Sequence, residues 1–259
     1  MVRREIREAV VLAAGNGLRM ASPEDLPKPL TPVAGMTLLE RSLAALPSSI
    51  QTAHVVIGYR GGQIRSAFGD QCRGRILNWI TNPSFALPNG VSLFCAEGKV
   101  DSPFLLVMCD HLFAPGLLDR FCDQGCPPDG GLLAVDRKID QVFDLPDAMK
   151  LELREDAICS IGKQLDHYDA IDTGAFLFSG AVFEAFLQSR AEHDLSLAGA
   201  VRILARKGRM RVWDIGLERW ADIDTPGALA DAERLLKMGY LWNGDVACEQ
   251  CFDVTPRTA

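Results

Sequence analysis

Six short runs in this chain are apolar almost throughout: "AVVLA" (9–13), "AHVVIGY" (53–59), "RILNWI" (75–80), "PFLLVMC" (103–109), "GGLLAVD" (130–136) and "GAFLFS" (174–179). Strands without polar alternation must be buried on both faces, and that is the mark of a parallel sheet covered on each side by helices. Helix-like segments lie between the runs: "TLLERSLAAL" (37–46), "GVSLFCAEG" (90–98), "APGLLDRFCDQ" (114–124) and "AVFEAFLQS" (181–189), with "PGALADAERLLKMG" (226–239) closing the series. The alternation predicts an α/β fold, a Rossmann-like doubly wound sheet that is mainly parallel. The stretch 137–165 is less regular and reads as strands and turns, a small antiparallel extension partly covering the site. In such sheets ligands bind beyond the carboxyl ends of the strands, so the residues just after each run are the ones to scrutinise.

At 259 residues the chain can bury a sizeable core as a single domain, expected over 1–239, with 240–259 as a C-terminal tail. That tail shows no periodicity and could dock on the body, pack against a second copy in a homodimer or be disordered. A net charge of −7 argues against a surface that coats nucleic acid, although a few local cations could still serve a small anionic substrate. The N-terminal apolar run, Ala9 to Ala14, is too short for a signal-peptide core. No stretch approaches the ~20 apolar residues of a membrane span, so a cytoplasmic protein without membrane insertion is expected. Among the eight cysteines the tight pair is Cys248 and Cys251, and no further pair or nearby histidine completes a zinc site there.

The first run breaks into "LAAGNGLRM", Leu12 to Met20, followed by "PKPL", Pro27 to Leu30. A P-loop requires Lys and Ser/Thr after its last glycine, whereas Leu18 and Arg19 follow Gly17. A dinucleotide fingerprint requires a third glycine where Met20 stands, which disfavours a dehydrogenase. The loop nevertheless carries what a phosphate needs. Gly15 and Gly17 let backbone amides come close to an anion, Arg19 can fork onto its oxygens, and Pro27 and Pro29 stiffen the chain around Lys28.

Strand, L-A-A-G-x-G-x-R and P-K-P-L together resemble the signature of the nucleotidyltransferases that make sugar nucleotides and related activated alcohols. The likeness spans residues 8–237, and within that superfamily it is closest to the inositol-1-phosphate cytidylyltransferases. It is carried further by "NPSFALPNGVSLFCA" (82–96), "LLVMCDHLF" (105–113), "IGKQLDHYDAIDTGAFLFS" (161–179) and "RWADIDTPGALADAERLL" (219–236). The resemblance implies transfer of CMP from CTP to a phosphorylated alcohol, inositol-1-phosphate first, with pyrophosphate released. Phosphocholine or another sugar-1-phosphate is the alternative acceptor, and a nucleotide-binding regulatory protein on the same fold is the non-enzymatic alternative.

The same resemblance assigns residues. Arg19 and Lys28 become the catalytic cations, and Leu12, Ala13, Ala14, Gly15, Asn16 and Gly17 the phosphate cradle. Asn89, Gly90 and Ser92 read the base, with Asn89 also placed to cap the helix that it opens. Asp110 and Asp222 are expected to hold Mg²⁺, whose hard character suits carboxylate oxygens. Asp224 is the lesser metal candidate because it could instead cap the last helix, which Thr225 and Pro226 open. Lys150 and Lys163 are assigned to the acceptor phosphate and Asp172 to its hydroxyls, with Thr173 and Gly174 shaping a turn there. His111 is given a pocket or orienting role, since an ionised phosphate monoester needs no general base. Cys109 stands before Asp110 where the family commonly has glycine.

Overall fold

The computed structural model describes residues 5–20 and 26–242. Its main sheet has ten strands. From one edge to the other they run Lys150–Arg154, Ala157–Gly162, Met210–Asp214, Gly131–Asp136, Ala170–Phe178, Phe104–Met108, Glu8–Ala13, Thr52–Ile57, Arg75–Thr81 and Gln71–Cys72. Glu8–Ala13 pairs in parallel with Thr52–Ile57 on one side and Phe104–Met108 on the other, and Thr52–Ile57 pairs in parallel with Arg75–Thr81. Ala170–Phe178 runs antiparallel to both of its main neighbours, and Lys150–Arg154 with Ala157–Gly162 forms the antiparallel hairpin expected in the middle of the chain.

Both faces are covered, as wholly apolar strands require. Val10, Leu12, Leu106, Phe176 and Phe178 pack with the helices Gly90–Phe94, Ala181–Ala191 and Leu197–Arg206. Their strand neighbours Ala9, Val11, Val55, Leu105 and Val107 face the helices Leu38–Ala45, Gly61–Phe68 and Leu117–Cys122. Each Val, Leu or Phe among them contributes about 1.5–3 kcal/mol when fully buried, which is why the alternation is so strongly specified.

Two details differ from expectation. Asp172, Thr173 and Gly174 lie inside the nine-residue strand Ala170–Phe178, at an irregularity between Asp172 and Phe176. They form a bulge rather than a turn, and the positive φ of Gly174 (78°) lets the strand resume. The body also runs past residue 239: Leu241 is buried beside Met20, Leu38 and Ile223, and the Trp242 amide donates to the Phe113 carbonyl at 3.0 Å. The rest of the tail, including Cys248 and Cys251, lies outside the described residues. Among the described residues no helix is long and apolar enough to cross a membrane.

Candidate active site

The parallel register sets Leu12 beside Met108, so the loops leaving these two strands emerge side by side. One carries the glycines, the other Asp110. A short antiparallel ribbon, His111–Phe113 with Trp220–Asp222, then pairs His111 with Asp222, and the Ile223 amide donates to the Asp110 carbonyl at 3.0 Å. Backbone pairing thus gathers Asp110, His111, Asp222 and Asp224 at the mouth of the glycine loop, around a cleft of about 550 Å³.

Lys28 sits at the centre. It is only 7% exposed, and its ammonium donates to both Asp110 and Asp224. Burial works against its charge, but the two carboxylates outweigh burial and raise its pKa. Arg19 donates to Asp224 and, at 2.6 Å, to Asp147. Asp224 is therefore a carboxylate for two cations and not a cap. Thr225 caps the last helix, its Oγ1 accepting from the Ala228 amide at 3.1 Å, because Pro226 fixes the first helical position one residue later than Asp224 capping would need.

Asp110, His111 and Asp222 present ligand atoms that all lie within 4.8 Å of one another. His111 Nδ1 hydrogen-bonds the Thr173 carbonyl at 2.7 Å, leaving Nε2 3.5 Å from Asp222 Oδ1 and 3.9 Å from Asp110 Oδ1. Any side chain at 174 would collide with this imidazole, so Gly174 makes room for His111. Burial works against protonation of His111, yet Asp222 and Asp110 raise its pKa. Burial pushes the Asp222 carboxyl up to about 6, and the Asp110 and Asp224 charges push the same way, against His111. Asp222 Oδ1 is buried and has no hydrogen-bond partner. An orphaned carboxylate oxygen facing a second carboxylate and an imidazole nitrogen is a donor set that fits a divalent cation. Asp224, also expected as a metal ligand, is not among these three, and His111 is.

Of the predicted cradle, Leu12, Ala14 and Gly15 line the cleft, while Ala13 is buried in the core and Gly17 lies against Lys28. Asn16 does not line the cleft. Asn89 and Ser92 line it, but Gly90 does not. A Cβ at 90 would lie 2.5 Å from the Leu195 carbonyl, so helix packing accounts for that glycine. Asn89 makes no cap bond to its own helix; its Oδ1 accepts from Leu197 at 3.0 Å, at the start of another. Ser92 Oγ accepts from Asn82 at 2.9 Å.

The two acceptor lysines part company. Lys163 lines the cleft and donates to Asp147 at 2.6 Å. Lys150 is buried, donates to the Lys163 carbonyl at 2.8 Å and lies over the Tyr168 ring, outside the lining. Asp172 and Gly174 line the cleft. Burial pushes the Asp172 carboxyl up to about 6, although its Oδ1 accepts from Gly174 at 2.7 Å. Thr173 is fully buried, its hydroxyl donating to the Ala134 carbonyl. The Cys109 thiol points into the apolar core rather than the cleft, and burial raises its pKa well above the ordinary value.

Sequence reasoning missed Asp136, Asp144, Asp147 and Trp220. Trp220 donates from Nε1 to Asp136 at 3.0 Å, and its ring lies 5.5 Å from that of His111. Asp136 ends an apolar run, which could have marked it; nothing around Asp147 could have.

A protein of Rubrobacter xylanophilus named bifunctional IPC transferase and DIPP synthase is 32% identical over 246 residues, covering 93% of this chain and 54% of that protein. The protein of the same name from Thermococcus kodakarensis is 32% identical over 231 residues, 88% of this chain and 50% of its own. The chain thus spans about half the length of these curated relatives. A solved structure of the inositol-1-phosphate CTP transferase from T. maritima superposes with a TM-score of 0.80 at 27% identity, covering 95% of this chain and 100% of that one. Residues 9–207 match the profile of the MobA-like NTP transferase domain, and the chain belongs to that family.

Proposed function

We propose that this nucleotidyltransferase moves CMP from CTP onto inositol-1-phosphate, forming CDP-inositol and pyrophosphate. The observation that carries this reading is that Lys28 and Arg19, from separate parts of the chain, pair with Asp110 and Asp224 on the wall of a cleft that Asp222 also lines. The name of the T. maritima protein supports the choice of substrates.

An acceptor phosphate oxygen attacks the α-phosphorus of CTP in line, and the bond to the pyrophosphate oxygen breaks. The nucleophile is already an anion, so no side chain has to take a proton. Catalysis then rests on positioning and charge, for which Lys28 and Arg19 face the triphosphate and Lys163 the acceptor phosphate. The cleft itself is acidic: eight aspartates line it, against Lys163, Arg219 and Arg234. Two polyanionic substrates can occupy such a site only with added positive charge. Asp110, Asp222 and His111 would hold a divalent cation, Mg²⁺ in our reading, which when bound neutralises phosphate charge as a Lewis acid.

Pyrophosphate release, measured with each common nucleoside triphosphate against a panel of phosphorylated alcohols, tests this directly. CTP with inositol-1-phosphate should be the fastest pair. Release only with another pair would move the protein to a sister activity.

A further inference from the structure

Between the strands Gly131–Asp136 and Lys150–Arg154 the chain forms a segment that lines one wall of the cleft through Gln141 to Asp144 and Asp147 to Met149. Its regular structure is a single 3-10 turn, Ile139–Gln141. Among the described residues, every ion pair and hydrogen bond from 139–148 to another part of the molecule runs through Asp144 or Asp147. Phe143 is 58% exposed and rests near Gly227 of the last helix, where a Cβ would come within 3.3 Å of its ring.

Asp147 is the stronger tie. One of its oxygens accepts from Arg19 at 2.6 Å and the other from Lys163 at 2.6 Å. Arg19 stands on the glycine loop and Lys163 beyond the hairpin, so one carboxylate spans the two cations assigned above to different substrates. A phosphate that takes either cation competes with that carboxylate for it, and on Arg19 it would stand beside Asp224 as well, so like charges crowd the site until Asp147 withdraws. The pairing is strong enough to overcome the effect of burial and hold the Asp147 carboxyl below its ordinary pKa.

We propose that Asp147 is a positioning residue that couples the two substrate subsites: it ties Arg19 and Lys163 to the 139–148 segment, and the first phosphate to claim either cation releases the segment and frees the other. The segment then has two arrangements, and both substrates favour the released one. The cost of release is met once, by whichever substrate binds first, so each substrate strengthens the binding of the other by the same factor. The identity of the two ligands rests on the function proposed above; the tie to Arg19 does not.

Calorimetric titration of the whole chain tests the coupling, using inositol-1-phosphate and a CTP analogue with methylene in place of the α,β-bridging oxygen. Each ligand should lower the Kd of the other about three- to tenfold, the scale of partly exposed ion pairs. Asp147→Asn should bind each ligand alone more tightly by a similar factor and lose the mutual enhancement, and Asp147→Glu should restore it. Amide exchange of 139–148 should accelerate in Asp147→Asn, and in the wild type on adding inorganic tripolyphosphate. Wild-type affinities, coupling and exchange in Asp147→Asn would overturn the proposal. If tripolyphosphate binds and neither substrate does, the functional reading fails, and the exchange result still decides whether Asp147 restrains the segment.

Discussion

Gly17 and Lys28 pack directly against each other: the Cβ that Gly17 lacks would lie 2.6 Å from Lys28 Cβ. Gly17 also has a φ of 60°, a conformation that costs other residues about 1–2 kcal/mol. Gly17→Ala should therefore lower stability by that amount and also displace the ammonium from Asp110 and Asp224. Gly15→Ala meets nothing within 4 Å and should keep its melting temperature. Thermal unfolding of the two variants, with kcat/KM for each, separates strain from loss of the cradle.

Lys28→Ala removes the cation shared by Asp110 and Asp224. Loss of one preorganised charge contact commonly lowers kcat by ~10²–10³, and the same fall is expected here in pyrophosphate release. Asp110→Asn should fall comparably while remaining folded, since the amide keeps the carboxylate's size. Turnover near that of the wild type in either variant would remove both residues from the site.

Asn89 offers an oxygen to Leu197 and leaves its amide group at the cleft. Asn89→Ala should lose about 1 kcal/mol of stability through the lost helix-end acceptor and should also weaken nucleotide binding. Asn89→Asp keeps an acceptor, now charged and beside a helix N-terminus, so stability should hold while KM for CTP rises. Equal KM values for Asn89→Asp and wild type would leave Asn89 a purely structural residue.

Asp194 should contribute acid sensitivity away from the cleft. Burial raises its pKa, but hydrogen bonds from Ser196 and the Arg202 guanidinium lower it below the ordinary value. A depressed folded-state pKa means stability that is present above the unfolded value, about 3.9, and lost as pH falls through the folded one. Wild type should exceed Asp194→Asn by about 0.5–1 kcal/mol at pH 7, with the gap closing below about pH 4. Urea unfolding at both pH values measures the gap, and a constant difference would place the effect elsewhere than in ionisation.

The central strands were legible because burial on both faces leaves no polar alternation to misread. Elements were missed where glycine obeys packing rather than propensity. The helix Leu197–Arg206 has Gly199 in its first turn, required because a Cβ would strike Ser189 and Asp194. The helix Gly61–Phe68 begins on two glycines, and at 61 the Ile57 side chain leaves room for little else. The fold brings Lys28 to Asp110 and Asp110 to Asp222, and that grouping could be anticipated because each stands in a recognisable motif. Lys150, expected at the acceptor phosphate, lies outside the cleft lining, and a lysine at the start of a strand carries no mark of the carbonyl and ring that occupy it. Asp147 belongs to a segment without periodicity, and its partners are fixed only by the tertiary fold.

The ribbon that pairs His111 with Asp222 also sets when this cluster can form. Asp222 and Asp224 lie beyond residue 207, where the family match ends, so the glycine loop and Asp110 are synthesised long before the carboxylates that complete their surroundings. A nascent chain that has already formed its first parallel strands presents cations and amides to a nucleotide but has no second carboxylate to pair with Asp110. The cluster of Asp110, His111 and Asp222 is thereby complete only once nearly all of the described chain has been synthesised.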